Sequence, residues 1–239
     1  MKALKIWLFS LLLLVLVGVT VYGQFHLKSI RDAEEPALAD GVYAALGGLR
    51  SIAAEIIWCR ADRLQREGQF VELAELANTL ALMEPHTSEV WSYAAWNLAY
   101  NVSVMMPSYE DRWRWMDEAI HLLRDRGLKL NPHSAELYRE LAWLFELKMG
   151  THIDPAAPLY REHWKAIVED VKARDAWEEL GMDRKLMLAV EKASGFHDWT
   201  NPQLSAIYWA MRGLKHASGN ERMMLMAIIQ QSTILYSRL

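Results

Sequence analysis

The stretch from Ala54 to Asn101 constrains the fold more than any other part of the chain, because its apolar residues follow the period of an α-helix. Two interruptions divide it, at Glu67-Gly68-Gln69 and at Glu84-Pro85. Glycine and proline between periodic apolar runs mark turns and helix ends. The stretch therefore predicts two helices joined by a short turn, followed by a third helix that opens near Val90.

The remainder of the body shows the same helical period, and no stretch alternates apolar and polar residues over the length of a strand. The predicted fold class is therefore all-α. The run from Met223 to Ile229 is apolar throughout and too short to span a bilayer; it predicts a buried final helix, with a partner-binding face as the alternative. The predicted helices are Arg50 to Glu67, Phe70 to Met83, one that opens at Val90, Glu110 to Arg126, Ala135 to Gly150, Leu159 to Leu180, Asp183 to Ala193, Pro202 to about Ala217, and a last one containing Met223 to Ile229.

Gly68, Phe70 and Pro85 stand at the spacings of the tetratricopeptide (TPR) motif. That motif has a glycine between paired helices, an aromatic residue two positions later and a closing proline, in a unit of about 34 residues. The chain resembles a TPR-type helical repeat from about Ala54 to Gly150. It also resembles membrane-anchored bacterial TPR proteins of unassigned function. The resemblance implies an antiparallel helix-pair solenoid whose concave surface binds proteins, without catalysis.

Two features depart from the TPR pattern. Leu73 and Leu80 occupy positions where the motif prefers small residues, so we expect an altered crossing angle between the first two helices. The second unit is also longer than the motif, since Pro132 follows Pro85 by 47 residues. In the third unit, the helix from Ala135 is expected to pair with the one that opens near Leu159.

An apolar run from Ile6 to Tyr22 precedes the helical body. Its 17 residues are at the lower limit for a membrane-spanning helix, so we expect a single-pass protein that contacts the lipid bilayer through residues 6–22. Lys2 and Lys5 favour a cytoplasmic N-terminus and a body outside the cytoplasm. Lys28 and Arg31 on the other side of the run favour the opposite orientation.

The N-terminal segment is expected to remain attached as a transmembrane anchor over residues 1–23, because no Ala-x-Ala cleavage site follows the apolar run. Cleavage near Gly23 is the alternative. Residues 24–49 contain Pro36 and three glycines and are predicted to be a stalk. Residues 50–239 are predicted to form the TPR-like domain.

Composition excludes several function classes. The formal net charge of -4 argues against a nucleic-acid partner, which requires clustered Lys and Arg. The single cysteine, Cys59, excludes an internal disulfide, and its apolar helix predicts a buried thiol. The histidines form no metal-binding motif, and no nucleotide-binding or nucleophile motif is present. We therefore expect neither a metal nor a cofactor, and no enzymatic activity.

Asn97 and Asn101 are the polar residues that stand out, because they lie four positions apart on an apolar helix. Asparagine is a poor residue for a helix interior, since its amide competes for backbone hydrogen bonds. One interpretation is that both amides cap a neighbouring loop, the insertion from Met105 to Tyr109. The other is that they line a groove and bind a protein partner.

Arg112 and Arg114 are further partner-binding candidates, because they alternate with Trp113 and Trp115. Tryptophans in the core with solvated or ion-paired arginines are the alternative.

Three functions are consistent with these patterns. The first is a membrane-anchored scaffold or adaptor subunit that binds proteins within an envelope complex. The second is a helical enzyme acting on cell-wall or lipid-linked material, for which Glu55 and Asp62 would be the first candidates if buried. The third is a purely structural subunit of a membrane complex.

Overall fold

The computed structural model describes residues 55–238. Nearly all of the described residues belong to one compact unit, Arg60–Leu239. The predicted anchor over residues 6–22 and the predicted stalk over residues 24–49 lie outside the described part. Among the helices that are described, none combines the length and the apolar character needed to cross a membrane.

Every regular element within residues 55–238 is a helix, which confirms the all-α class. We number the helices in chain order: α1 over residues 55–67, α2 at Phe70–Met83, α3 at Ser88–Trp96 with its continuation to Met105, α4 at Tyr109–His121 with its continuation to Leu130, α5 at Ala135–Trp143 with its continuation to Met149, α6 at Ala157–Arg174, α7 at Arg184–Ser194, α8 at Pro202–Leu214 and α9 at Gly219–Tyr236. A 3₁₀ turn, Trp177–Leu180, lies between α6 and α7.

Three of the helices within residues 55–238 contain a π-helical segment, which the sequence pattern does not predict. These segments are Asn97–Val102 in α3, Leu122–Gly127 in α4 and Leu144–Met149 in α5. A π turn rotates the side chains that follow it relative to an α-helical register, and such turns are frequent at functional sites. The first and third segments carry buried polar side chains, those of Asn97, Glu146 and Lys148.

Side-chain caps explain where several helices begin. Asn201 accepts a hydrogen bond from the Gln203 amide, and Pro202 takes the first position of α8, as the Asn-Pro pair predicts. Other caps are Ser108 before α4, Ser134 before α5 and Asp183 before α7. Local sequence therefore fixes these helix starts.

Helix α6 is shorter than predicted. It ends at Arg174 rather than continuing to Leu180, because Asp175 adopts a left-handed backbone conformation with φ of 51°. That conformation ends a helix, and the chain continues into the short 3₁₀ turn.

Helix α8 is the centre of the C-terminal half and is buried along almost its whole length. Helix α5 packs more extensively against α8 than against α6. The sequence pattern predicted α6 as the main partner of α5, and that prediction is wrong. The reason is a close approach at Gly213, where a methyl group in place of the α-hydrogen would lie 2.7 Å from Cβ of Tyr138. Only glycine allows the two backbones to come this near.

Candidate functional site

Asn97 is fully buried at the start of the π-helical segment of α3. Its Nδ2 donates to the carbonyl oxygen of Phe70 over 3.2 Å, and its Oδ1 accepts from Nδ2 of Asn101 over 2.9 Å. The two amides therefore form one chain of hydrogen bonds that joins α3 to the first residue of α2. The partner is α2 and not the insertion after Met105.

Arg112 and Arg114 lie in different surroundings. Nε of Arg112 donates to the carbonyl of Met106 over 3.1 Å, and its Nη1 lies 3.5 Å from Oδ1 of Asp154 in the interior. Arg114 is solvent-exposed and pairs with Asp111 over 3.1 Å. The structure thus brings Asn97 and Asn101 together, while it places Arg112 in a part-buried setting and Arg114 in an exposed one.

A largely buried charge network, which we define as Arg112, Lys148, Asp154 and Tyr160, is centred on the loop between α5 and α6; Arg112 is its only part-buried member. Nζ of Lys148 donates to Oδ2 of Asp154 over 2.5 Å, and the Tyr160 hydroxyl donates to the same oxygen over 3.1 Å. The Ala156 amide donates to Oδ1 over 2.9 Å. The carboxylate of Asp154 is therefore saturated with donors.

The electrostatics of the network follow from burial and pairing. Burial acts to raise the pKa of Asp154, but the hydrogen bonds from Lys148 and from the Ala156 amide outweigh it, so the pKa is lowered. Burial lowers the pKa of Lys148 despite its hydrogen bond with Asp154. The Lys148 ammonium also lies 5.2 Å from the centre of the Tyr100 ring, a cation–π distance. The network is a saturated internal support and not a vacant binding site.

Glu146, which lies in the π-helical segment of α5, is another buried acid besides Asp154. Its residue surface is only 3% exposed, and burial raises the pKa of its carboxyl group to about 7. The backbone carbonyl of Glu146 accepts a hydrogen bond from Nε2 of the buried Gln203, which also donates to the carbonyl of Gly150. Gln203 thereby joins the end of α5 to the start of α8.

The acids proposed for catalysis are not buried. Glu55 and Asp62 are both exposed, and Asp62 forms an ion pair with Arg66. Cys59 is also exposed, so the prediction of a buried thiol is wrong. Within residues 55–238, no three His, Cys, Asp or Glu residues are grouped in a way that could hold a metal ion.

Helix α9 has two apolar faces, and the described helices cover only one of them. Leu225 and Ile228 are buried on the first face, which packs against α8 and α5. The second is exposed, with Met223 64%, Met226 53% and Ile234 44% accessible. We call this second surface the methionine face and define it as Met223, Met226, Ala227, Gln230 and Ile234, whose spacing of i, i+3, i+4, i+7 and i+11 places them on one side of the helix.

An open groove of about 530 Å³ runs beside the methionine face. Its lining is mainly apolar and comprises Leu214, Met223, Met226, Ala227, Ile229 and Gln230. The groove therefore lies between the end of α8 and one side of α9. The sequence feature that corresponds to this surface is the uninterrupted apolar run from Met223 to Ile229. A helix that is apolar on all sides is usually buried on all sides, so the run alone did not indicate an exposed face.

Comparison of the chain with protein-family models, with curated proteins and with solved structures gives no match in any of the three.

Proposed function

We propose that the protein is a membrane-anchored, TPR-like scaffold subunit that binds another protein within an envelope complex. The observation that carries this proposal is the methionine face of α9, an exposed apolar stripe beside an apolar groove. Contiguous exposed apolar surface on a folded protein marks an interaction site. The TPR resemblance at Gly68, Phe70 and Pro85 supports the same class of function.

The interior supports binding rather than catalysis. Both oxygens of the Asp154 carboxylate already accept hydrogen bonds from the chain itself, so the group is not available to bind a substrate. Tyr160 and Arg112 are engaged with the same carboxylate. Such a network holds α4, α5 and α6 in one arrangement, which is what a scaffold needs in order to present a fixed surface.

The proposed location follows from the N-terminal sequence. The apolar run over residues 6–22 would tether the chain to the bilayer, with the helical body outside the cytoplasm. A tethered scaffold meets its partner at a high local concentration, because both are confined to the same membrane region.

Purification of the full-length protein from detergent-solubilised membranes tests the proposal. We expect a second protein to remain at fixed stoichiometry through two chromatographic steps, and mass spectrometry to identify it. A protein that purifies alone, with glycan or lipid retained in place of a partner, would support the enzyme alternative. A partner that separates only on denaturation would favour the purely structural subunit.

A further inference from the structure

We infer that the methionine face is the docking site for an acidic amphipathic helix of the partner protein, an inference that rests on the proposed function. The partner helix lays an apolar stripe along α9 and places carboxylates against the basic side chains around it. Three observations carry this assignment: the shape of the surface, its side-chain chemistry and its local charge.

The shape suits a helix. The methionine face extends from Met223 to Ile234 along one side of α9, which corresponds to about 16 Å at the rise of an α-helix. The groove beside it is bounded by Leu214 on α8. A partner helix of about three turns would fill this length, and its anchors would recur at i, i+3, i+4 and i+7.

Methionine is the appropriate residue for such a surface. Its unbranched, polarizable side chain adapts to the shape of the partner, and methionine is enriched at surfaces that receive helices. Met223 and Met226 are among the most exposed large apolar residues of the described chain. Gln230 interrupts the stripe one turn after Met226 and can offer a hydrogen bond to a polar group on the partner.

The charge around this surface is opposite to that of the chain as a whole. From Lys215 to Arg238 the sequence has three Lys or Arg residues and one acidic residue, Glu221, which lies 2.9 Å from an Arg139 that also pairs with Glu140. Lys215, Arg222 and Arg238 are all exposed. The complete chain carries a formal charge of -4, so this basic rim is a local reversal that selects an acidic partner.

The same rim disfavours a second copy of this chain as the occupant. In a two-fold symmetric contact each surface meets its own equivalent, so the basic side chains around the two α9 helices would be brought together. A bilayer surface is also a poorer fit. Helices that lie in the membrane interface carry Trp, Phe or Leu on the apolar face and many Lys and Arg on the other, whereas the methionine face lacks aromatic residues.

Two synthetic peptides test the inference. Both carry leucine at i, i+3, i+4 and i+7 and a fluorescent label; one has glutamate at the flanking positions and the other lysine. Each is titrated with the full-length protein in nanodiscs of zwitterionic lipid, and binding is followed by fluorescence anisotropy. We expect the acidic peptide to bind at least tenfold more tightly than the basic one.

Matched variants identify the side chains that bind the acidic peptide. Met223→Gln combined with Met226→Gln should weaken the acidic peptide at least tenfold, while Leu188→Gln should not, although Leu188 is 56% exposed on α7. Lys215→Glu combined with Arg222→Glu should reverse the preference between the two peptides. All of these side chains are exposed, so circular dichroism melting should show an unchanged fold.

Several results would overturn the assignment. Binding of neither peptide, equal binding of both, or normal binding by the double methionine variant would each do so. A dimer that the same variant dissociates would identify a second copy as the occupant. Protection of α9 amides from hydrogen exchange by anionic nanodiscs, without peptide binding, would identify lipid. A co-purified partner that the double methionine variant still retains would refute this docking site and leave the proposed function intact, whereas the absence of any partner refutes the proposed function.

Discussion

The Nζ atom of Lys148 lies 2.5 Å from Oδ2 of Asp154, and the two side chains are only 2% and 1% exposed. Lys148 belongs to the π-helical segment of α5, and Asp154 belongs to the loop that follows. The ion pair therefore lies in the protein interior and links the end of α5 to the loop that leads to α6. A buried charge without its partner is strongly destabilising, so the position of this loop and the register of the π-helical segment depend on each other.

Lys148→Met should destabilise the fold by up to about 3–5 kcal/mol, because it removes the cation nearest to the buried Asp154 carboxylate and leaves only the longer contact with Arg112. Urea denaturation gives the free energy of unfolding. Lys165→Met is the control, since Lys165 pairs with Glu169 on the surface, where ion pairs contribute little. Similar losses in both variants would contradict the importance of the buried pair. The pKa of Asp154 is lowered from its ordinary value of 3.8, so its contribution is present at neutral pH and is lost only as the pH falls below that value.

Glu146→Gln should stabilise the protein at alkaline pH. The pKa of this carboxyl group is raised from 4.5 to about 7, so the folded state holds the proton more tightly than the unfolded state. The wild type must therefore lose stability as the pH rises from about 4.5 to about 7, and the uncharged glutamine avoids this loss. We expect a gain of roughly 1–3 kcal/mol at pH 8 and almost none at pH 4.5. Glu169→Gln serves as an exposed control, and an equal effect of Glu146→Gln at both pH values would contradict the burial argument.

Trp91→Ala should lower the melting temperature much more than Trp115→Ala. Trp91 is 3% exposed, its Nε1 donates to the carbonyl of Pro85 over 2.9 Å, and its Cβ lies against Gly127. Truncation of a buried tryptophan costs about 3–5 kcal/mol, whereas Trp115 is only half-buried. Calorimetry on the two variants measures the difference, and equal losses would show that the two indoles contribute alike.

Asn97→Ala should destabilise the fold by about 1–3 kcal/mol, because it leaves the part-buried carbonyl of Phe70 without this donor and Nδ2 of Asn101 without this acceptor. Binding of the partner should weaken only as far as the folded population falls. Asn101 is partly exposed, so Asn101→Ala should have a smaller effect on stability. Melting temperature and partner capture are measured for the same two variants. Intact stability with lost capture would instead assign both amides to a binding groove.

The N-terminal prediction is tested on the full-length protein in its membranes. If residues 6–22 form an uncleaved anchor, the protein should remain in the membrane fraction after an alkaline carbonate wash, and Edman sequencing should begin at Met1 or Lys2. A mature protein that begins at Gln24 would identify the run as a cleaved signal peptide.

Local sequence determined the helices themselves. Gly68 and Pro85 separate α1, α2 and α3 where the pattern predicts, and α2 has the predicted bounds, Phe70–Met83. The start of α8 at Pro202 was equally predictable. Caps, turns and helix-breaking residues act over a few positions, so the chain reveals them without any knowledge of its tertiary structure.

Only the tertiary structure decided which surfaces meet. The pairing of α5 with α8 depends on contact between Gly213 and Tyr138, which are far apart in the sequence. The partner of Lys148 depends on a π-helical turn whose register the apolar period does not encode. In α9 the run from Met223 to Ile229 is apolar on every side, so the sequence could not distinguish the face that Leu225 buries from the face that Met226 leaves open. Periodicity specifies that a helix has an apolar surface, whereas the long-range packing of the other helices determines whether that surface is covered.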